Sequence, residues 1–205
     1  QVDREGGHVR AFRSYGSGIP APENAETNPL KYVVTWNPRN VAMSSETGAQ
    51  YMERGRIKCV PFHHVFHHTW HVHVDGVGAL EAYPNRDSLS YMQSFGLEDV
   101  ETMIRGTLRW PGWSETWACI VDLGLPNEHL RIPNLQSHTY RDVTRMFLPM
   151  NLGDTDVPDI EERAAKSLGI SPTGKIMDNL RWLGLFSDEK VRSQGTTAAA
   201  MLTDL

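Results

Sequence analysis

Apolar and polar residues alternate over a short run at 8–15 (HVRAFRSY), the period of two that predicts a half-buried strand. The Gly-Ser-Gly-Ile-Pro-Ala-Pro stretch at 16–22 breaks the alternation, and because its two prolines lack a donor N–H an exposed, semi-rigid loop is expected there. Residues 30–36 (LKYVVTW) are a second strand candidate. Asn37-Pro38 then reads as an N-cap with proline at the first helical position, opening a helix to about Arg54 that Gly55 ends. Further strands are predicted at 57–61, 70–74 and 79–83, the last two joined by Asp-Gly-Val-Gly, a hairpin connection. Asp87 can cap a short helix over 88–95, and 102–110 (TMIRGTLRW) is another β-like stretch. After Pro111-Gly112 a helix begins in which Trp113, Trp117, Ile120 and Val121 recur at helical spacing, the pattern of a core face more than of a cofactor box.

Beyond Gly124 the period lengthens. Residues 139–149, 158–168, 171–183 and 196–205 read as helices, Ser171-Pro172 supplying another cap with proline behind it, and no strand pattern intervenes. The chain is therefore expected to be α+β, with an α+β part over residues 1–125 and a helical part over 126–205.

Composition narrows the function classes. The 205 residues suffice for a proper core, and a net charge of −5 with 40% hydrophobic content argues against a phosphate-tracking surface, so no nucleic acid is expected as a partner. No stretch approaches the roughly 18 apolar residues of a membrane span, and the N-terminus lacks the charged and apolar regions of a secretion signal, so a cytoplasmic protein without membrane contact is expected. Cys59 and Cys119 lack CxxC spacing and are expected to be reduced and buried. The chain starts at Gln1, and neither GxGxxG nor GxxxxGKS occurs, so a nucleotide, if used, must be held by another segment.

Two constellations carry candidate chemistry. Six of the nine histidines fall within residues 63–73, where His63 and His67 would share a helix face and His71 and His73 a strand face. A metal site also needs a third ligand and a supporting shell, and histidines in a sheet-edge loop are the commoner outcome, so no metal is expected. No serine elbow or Cys–His dyad is present. Arginines recur where strands meet helices: Arg39, Arg86, and the pair Arg105 and Arg109. Guanidinium groups bind carboxylates bidentately and free N–H groups at helix starts add anion affinity. A solvated charge or an ion pair explains any one of them; several at one end of one sheet would mark a substrate with several carboxylates.

The segments Ser14-Tyr15-Gly16-Ser17-Gly18-Ile19-Pro20-Ala21-Pro22-Glu23, Asn28-Pro29-Leu30-Lys31-Tyr32, Trp36-Asn37-Pro38-Arg39, Tyr83-Pro84-Asn85-Arg86-Asp87-Ser88 and Arg105-Gly106-Thr107-Leu108-Arg109 resemble, in order and approximate spacing over residues 10–125, the saccharopine dehydrogenase family. The resemblance implies a substrate-binding and dimerisation domain, a mixed β-sheet covered by helices, with an all-helical insertion beside it and the NAD- or NADP-binding Rossmann domain absent from this chain. A homodimer acting on saccharopine, a small-molecule polycarboxylate of lysine metabolism, is expected, with this fragment inactive alone. A further strand would return to the sheet beyond Leu205, and its absence would leave an edge unpaired. By the same resemblance Asn37, Arg39, Arg86, Gly106, Thr107 and Leu108 line the saccharopine site, and Gly16, Ser17, Gly18 and Pro20 lie in a loop near the nicotinamide. The reaction implied is oxidation of the secondary amine to an imine by hydride transfer, followed by hydrolysis. Well-characterised fungal members carry Ser-Tyr-Cys-Gly-Gly where this chain has Ser-Tyr-Gly-Ser-Gly, so Gly16 supplies no thiol and the general base is unassigned. Two rival readings are a carboxynorspermidine or carboxyspermidine dehydrogenase-like enzyme, which needs fewer carboxylate clamps, and a non-catalytic interaction or metal-binding protein on the same scaffold.

Overall fold

The computed structural model describes residues 3–35, 37–150 and 159–205. Its contacts divide the chain into two units, one of residues 1–27, 31–35 and 45–114, the other of 28–30, 36–44 and 115–205.

The first unit is built on a mixed sheet of β1 (Ala11–Gly16), β2 (Ala49–Glu53), β3 (Arg56–Val60), β4 (Trp70–Val74), β5 (Gly78–Pro84) and β6 (Thr102–Arg109). The order is β3-β2-β6-β5-β4, with β1 added to β6. β1 runs parallel to β6 over residues 102–107, whereas β5 meets β6 antiparallel over 106–109 and β2 touches it at Met103. Since β1 covers one edge of β6, β2 and β5 share the other, and the sheet forks there. Arg86, with a left-handed φ of 51°, sits in the fork: Asn85 N–H still bonds Arg105 O, but Arg86 O accepts from Gln50 N and Ser88 N donates to Gln50 O on β2. A helix α2 (Ser90–Ser94) follows. β2 and β3 turn through Arg54 and Gly55 at φ 49° and 73°, the two positive values a tight primed hairpin turn requires.

The hairpin expected from 70–74 and 79–83 is present with β4 paired to β5, and β6 occupies the stretch foreseen for it. Two expectations fail. Residues 31–35 form no strand, because Lys31 adopts φ 49° and Tyr32 leaves any ladder to pack its ring on Trp113, 5.6 Å away; Trp36 lies outside the described residues. The helix opened by Asn37-Pro38 stops at Ala42 instead of running to Arg54, since Gly48 is left-handed and pressed against Val60 O, where a Cβ would come to 2.5 Å, and residues 49–53 are taken up as a strand.

The second unit holds α1 (Pro38–Ala42), which contacts α7 (Ala198–Leu202), together with α4 (Tyr140–Met146), α5 (Ile160–Leu168) and α6 (Lys175–Trp182). Helix α3 (Trp113–Asp122) carries the chain from the first unit into the second, and Trp113, Trp117, Ile120 and Val121 are all buried, as their spacing predicts. Asn37 caps α1 by accepting from Arg39 N at 3.0 Å, and Thr139 and Asp142 form a reciprocal capping box at α4. Helix α6 departs from expectation at its start: Gly174, not Ser171, precedes its first turn, and Pro172 lies outside it. The expected start of α5 at Pro158 lies outside the described residues. The buried Asn179 amide donates to Thr116 Oγ1 at 2.8 Å and Thr144 Oγ1 donates to Leu185 O at 2.7 Å, while Asn179 Oδ1 has no hydrogen-bond partner among the described residues. Among the described residues no helix is long and apolar enough to cross a membrane. Cys119 is buried, its thiol pushed up to about 11 by burial and the nearby Asp122 and Glu115 carboxylates. Cys59 corrects the expectation of burial: β3 is an edge strand and the thiol is exposed.

Candidate functional site

Alternation along β6 places Arg105, Thr107 and Arg109 on one face of the sheet and Ile104, Gly106 and Leu108 on the other. Thr107 stands beside Gly16 of β1 and opposite Tyr83 of β5, and Arg109 stands opposite Glu81. Leu108 is buried in a small cluster with Leu80 and Ala82, and its carbonyl accepts from Ser17 Oγ at 2.9 Å. Trp110 Nε1 donates to Pro20 O at 3.2 Å, so the Gly16–Pro20 loop is pinned at two points onto the end of β6. Gly18 faces Thr35, whose hydroxyl would lie 2.3 Å from an added Cβ; the space above Gly16 is open.

The three arginines of this region have different fates. Arg109 is buried at 7% exposure, its guanidinium 4.8 Å from the rings of Tyr32 and Trp113 and 5.8 Å from that of Tyr83. Its Nη1 donates to Leu108 O, while Nε, and Oε1 of the equally buried Glu81, have no hydrogen-bond partner among the described residues. Burial raises the Tyr83 phenol despite the Arg109 charge, and the Tyr32 phenol in the same way. Arg109 is thus enclosed by aromatic rings and cannot act as a rim anion holder, a correction to the expectation from sequence. Arg105 lies with its guanidinium 3.9 Å from the Tyr91 ring centroid and reaches Asp87 O, while its backbone N–H bonds the Oγ of buried Ser88. Arg86 alone of the three is exposed and makes no side-chain hydrogen bond or ion pair among the described residues.

Asp87, next to it, is engaged. Burial would raise its carboxyl, but hydrogen bonds from Ser90, Gln50 and Leu89 outweigh that and hold it below the usual carboxylate value. In the second unit Arg39 grips Glu128 bidentately at 2.5 and 2.6 Å, a pairing that raises its guanidinium above the usual value. Asn37 is spent on the cap. The guanidinium expected to be open at Arg39 is therefore occupied, and nothing in the sequence near residue 39 announces Glu128 as its partner.

The histidines of 63–73 disperse: His63 bonds Glu46 at 2.8 Å, His64 and His67 face each other 5.9 Å apart, and His71 and His73 are exposed on β4. Among the described residues no group of three or more His, Cys, Asp or Glu side chains is placed to hold a metal. The Tyr32–Tyr83–Trp113 enclosure is the feature sequence reasoning missed, and the only signal was the spacing of Trp113 on a core face.

A forked mixed sheet with an exposed arginine in the fork and a glycine loop pinned to its central strand defines an α+β domain. The family model described as the saccharopine dehydrogenase C-terminal domain matches residues 1–203, and the chain belongs to that family. It is 30% identical over 226 residues to a saccharopine dehydrogenase (NADP+, L-glutamate-forming) of Schizosaccharomyces pombe, covering 100% of this chain and 47% of the relative. It is 32% identical over 207 residues to the mitochondrial alpha-aminoadipic semialdehyde synthase of Bos taurus, covering 91% of this chain and 20% of that protein. The solved apo saccharopine dehydrogenase (L-Glu forming) from Saccharomyces cerevisiae is similar in fold, with a TM-score of 0.79 at 28% identity, over 100% of this chain and 46% of that one. The chain thus spans about half the length of the yeast relatives.

Proposed function

We propose that this chain is the saccharopine-binding and dimerisation domain of an NAD(P)-dependent saccharopine dehydrogenase, an oxidoreductase acting on the CH–NH bond of saccharopine in lysine metabolism. The observation that carries the reading is Arg86, an exposed guanidinium without a side-chain partner among the described residues, held by its own backbone in the sheet fork between Gln50 of β2 and the Arg105 end of the β5–β6 pairing. Such a group binds a carboxylate bidentately, and it is matched in order and spacing to the family's substrate-lining arginine. The names of the yeast relatives support NADP and the glutamate-forming direction for the parent enzyme.

The nicotinamide cofactor would supply the hydride acceptor, but the turn that opens α2 does not suit its phosphates. The turn opening α2, which follows the sheet fork, is already capped: Asp87 Oδ1 takes the N–H groups of Leu89 and Ser90, and its charge repels a phosphate. Another segment must hold the cofactor, and the share of this chain is to bind and orient the substrate.

The test is steady-state oxidation of saccharopine by the assembled enzyme, followed by NADPH absorbance. Arg86→Ala is expected to raise the KM for saccharopine about tenfold or more, the loss of one charge-assisted contact of roughly 1.5–3 kcal/mol. An unchanged KM removes Arg86 from the site. Turnover of a carboxylated polyamine but not of saccharopine would replace this reading with the polyamine-linked one.

A further inference from the structure

The face of the sheet opposite Thr107 and Arg109 carries a cavity of about 360 Å³, and its lining includes Arg13 and Tyr15 of β1, Tyr51 and Glu53 of β2, Ile104 of β6 and Trp70 of β4. The register accounts for the grouping. Arg13 partners Ile104, Tyr15 partners Gly106, and the Met52–Met103 pair turns Tyr51 and Glu53 onto the same face as Ile104. An aromatic wall is built into this arrangement. A Cβ at Gly106 would come within 2.9 Å of the Tyr15 ring, so the glycine admits the ring flat against β6, and Trp70 Nε1 donates to the Tyr15 hydroxyl at 3.2 Å with the two rings 6.2 Å apart.

Charge is distributed over it in an unusual way. Arg13 and Glu53 stand on the two strands that flank β6, roughly 10 Å apart across two interstrand spacings. Neither forms an ion pair or a side-chain hydrogen bond among the described residues. Nearby Arg10, by contrast, is closed onto Glu101 by contacts of 2.8 and 3.1 Å. Burial and the Glu53 carboxylate both raise the Tyr51 phenol, which puts that carboxylate near the aromatic wall.

We propose that this cavity binds a free α-amino acid, its carboxylate on Arg13, its ammonium on Glu53 and its side chain against the rings of Tyr15, Tyr51 and Trp70. A volume of this size suits a ligand of that size, the arginine fork suits a carboxylate, and the rings offer apolar area with little rotamer cost. A ligand bearing only one charge would leave either Arg13 or Glu53 unanswered, which selects a zwitterion. The inference does not rest on the saccharopine reading, and of the residues assigned there it shares only Gly106, whose missing Cβ admits the Tyr15 ring.

Calorimetric titration of the full 205-residue chain with L-phenylalanine, L-leucine and L-lysine tests it, with 2-phenylethylamine and 3-phenylpropionate as single-charge probes. Saturable single-site binding of at least one amino acid is expected, weakened about tenfold or more by Arg13→Gln, by Glu53→Gln, or by removing either charge from the ligand. Arg86→Ala is expected to leave it unchanged. Both replaced residues are exposed, so circular dichroism will verify the fold, and in the unaltered chain the Trp70 indole N–H signal should shift on titration. Absence of saturable binding by all three amino acids, binding indifferent to both substitutions, or an unmoved Trp70 signal overturns the proposal.

Discussion

Arg109 carries a permanent charge into a position of 7% exposure, opposite an equally buried glutamate and among three aromatic rings. Ring faces attract a cation by roughly 2 kcal/mol when desolvated. Arg109→Ala is therefore expected to lower unfolding stability by about 3 kcal/mol, whereas Glu81→Gln, which keeps shape and removes only charge, should cost about 1 kcal/mol. Urea denaturation checks both, and equal losses would mean that the opposed charges, not the ring faces, hold the enclosure. Arg86 and Arg109 look alike in sequence, each near the end of a β-like stretch. Their fates diverge because Tyr32, far upstream, folds over Arg109, whereas the fork leaves Arg86 outside. Local sequence marked the charges, but not which one a distant tyrosine would cover.

Among the elements, α4 shows how a short helix is fixed by its first turn. Thr139 Oγ1 accepts from Asp142 N, and Asp142 Oδ2 accepts from Thr139 N, both at 3.0 Å. The hydrogen bonds to Thr139 hold the Asp142 carboxyl below its ordinary 3.8. A depressed folded value means that the contribution is complete above the unfolded value and disappears as pH falls through the folded one. Thr139→Ala should cost about 1 kcal/mol near neutrality and flatten the decline of melting temperature between about pH 5 and pH 2. An acid limb of unchanged slope would show that Asp142 takes no part in it. Elements with a local cause were legible: β4 was foreseen with both its ends beside its hairpin connection, the start of α1 from Asn37-Pro38, and the buried face of α3 from helical spacing. Those decided at long range were not. Residues 49–53 became a strand only because β3 and Met103 pair with them, and 31–35 lost a ladder to a ring contact that no local pattern encodes.

Across the whole molecule, three strands of the described sheet are paired on one side only, β1, β3 and β4. β3 exposes Ile57 at 59% and the Cys59 thiol, and its hydrophobic content is broken by Arg56 and Lys58, the kind of charge that discourages strand addition. Lys58→Val is expected to leave the fold intact and to raise light scattering at high protein concentration, a change that excess reductant should not reverse if backbone pairing is the cause. Scattering equal to that of the parent chain would show that the β3 edge is already covered. The fork on β6 has a quieter outcome. Because Arg86 O and the N–H of Ser88 are both bonded to Gln50, the main chain around the guanidinium is stationary before any anion arrives. What capture must immobilise is a single side chain, about 2 kcal/mol of torsional freedom, and the surrounding peptide adds nothing further to that toll.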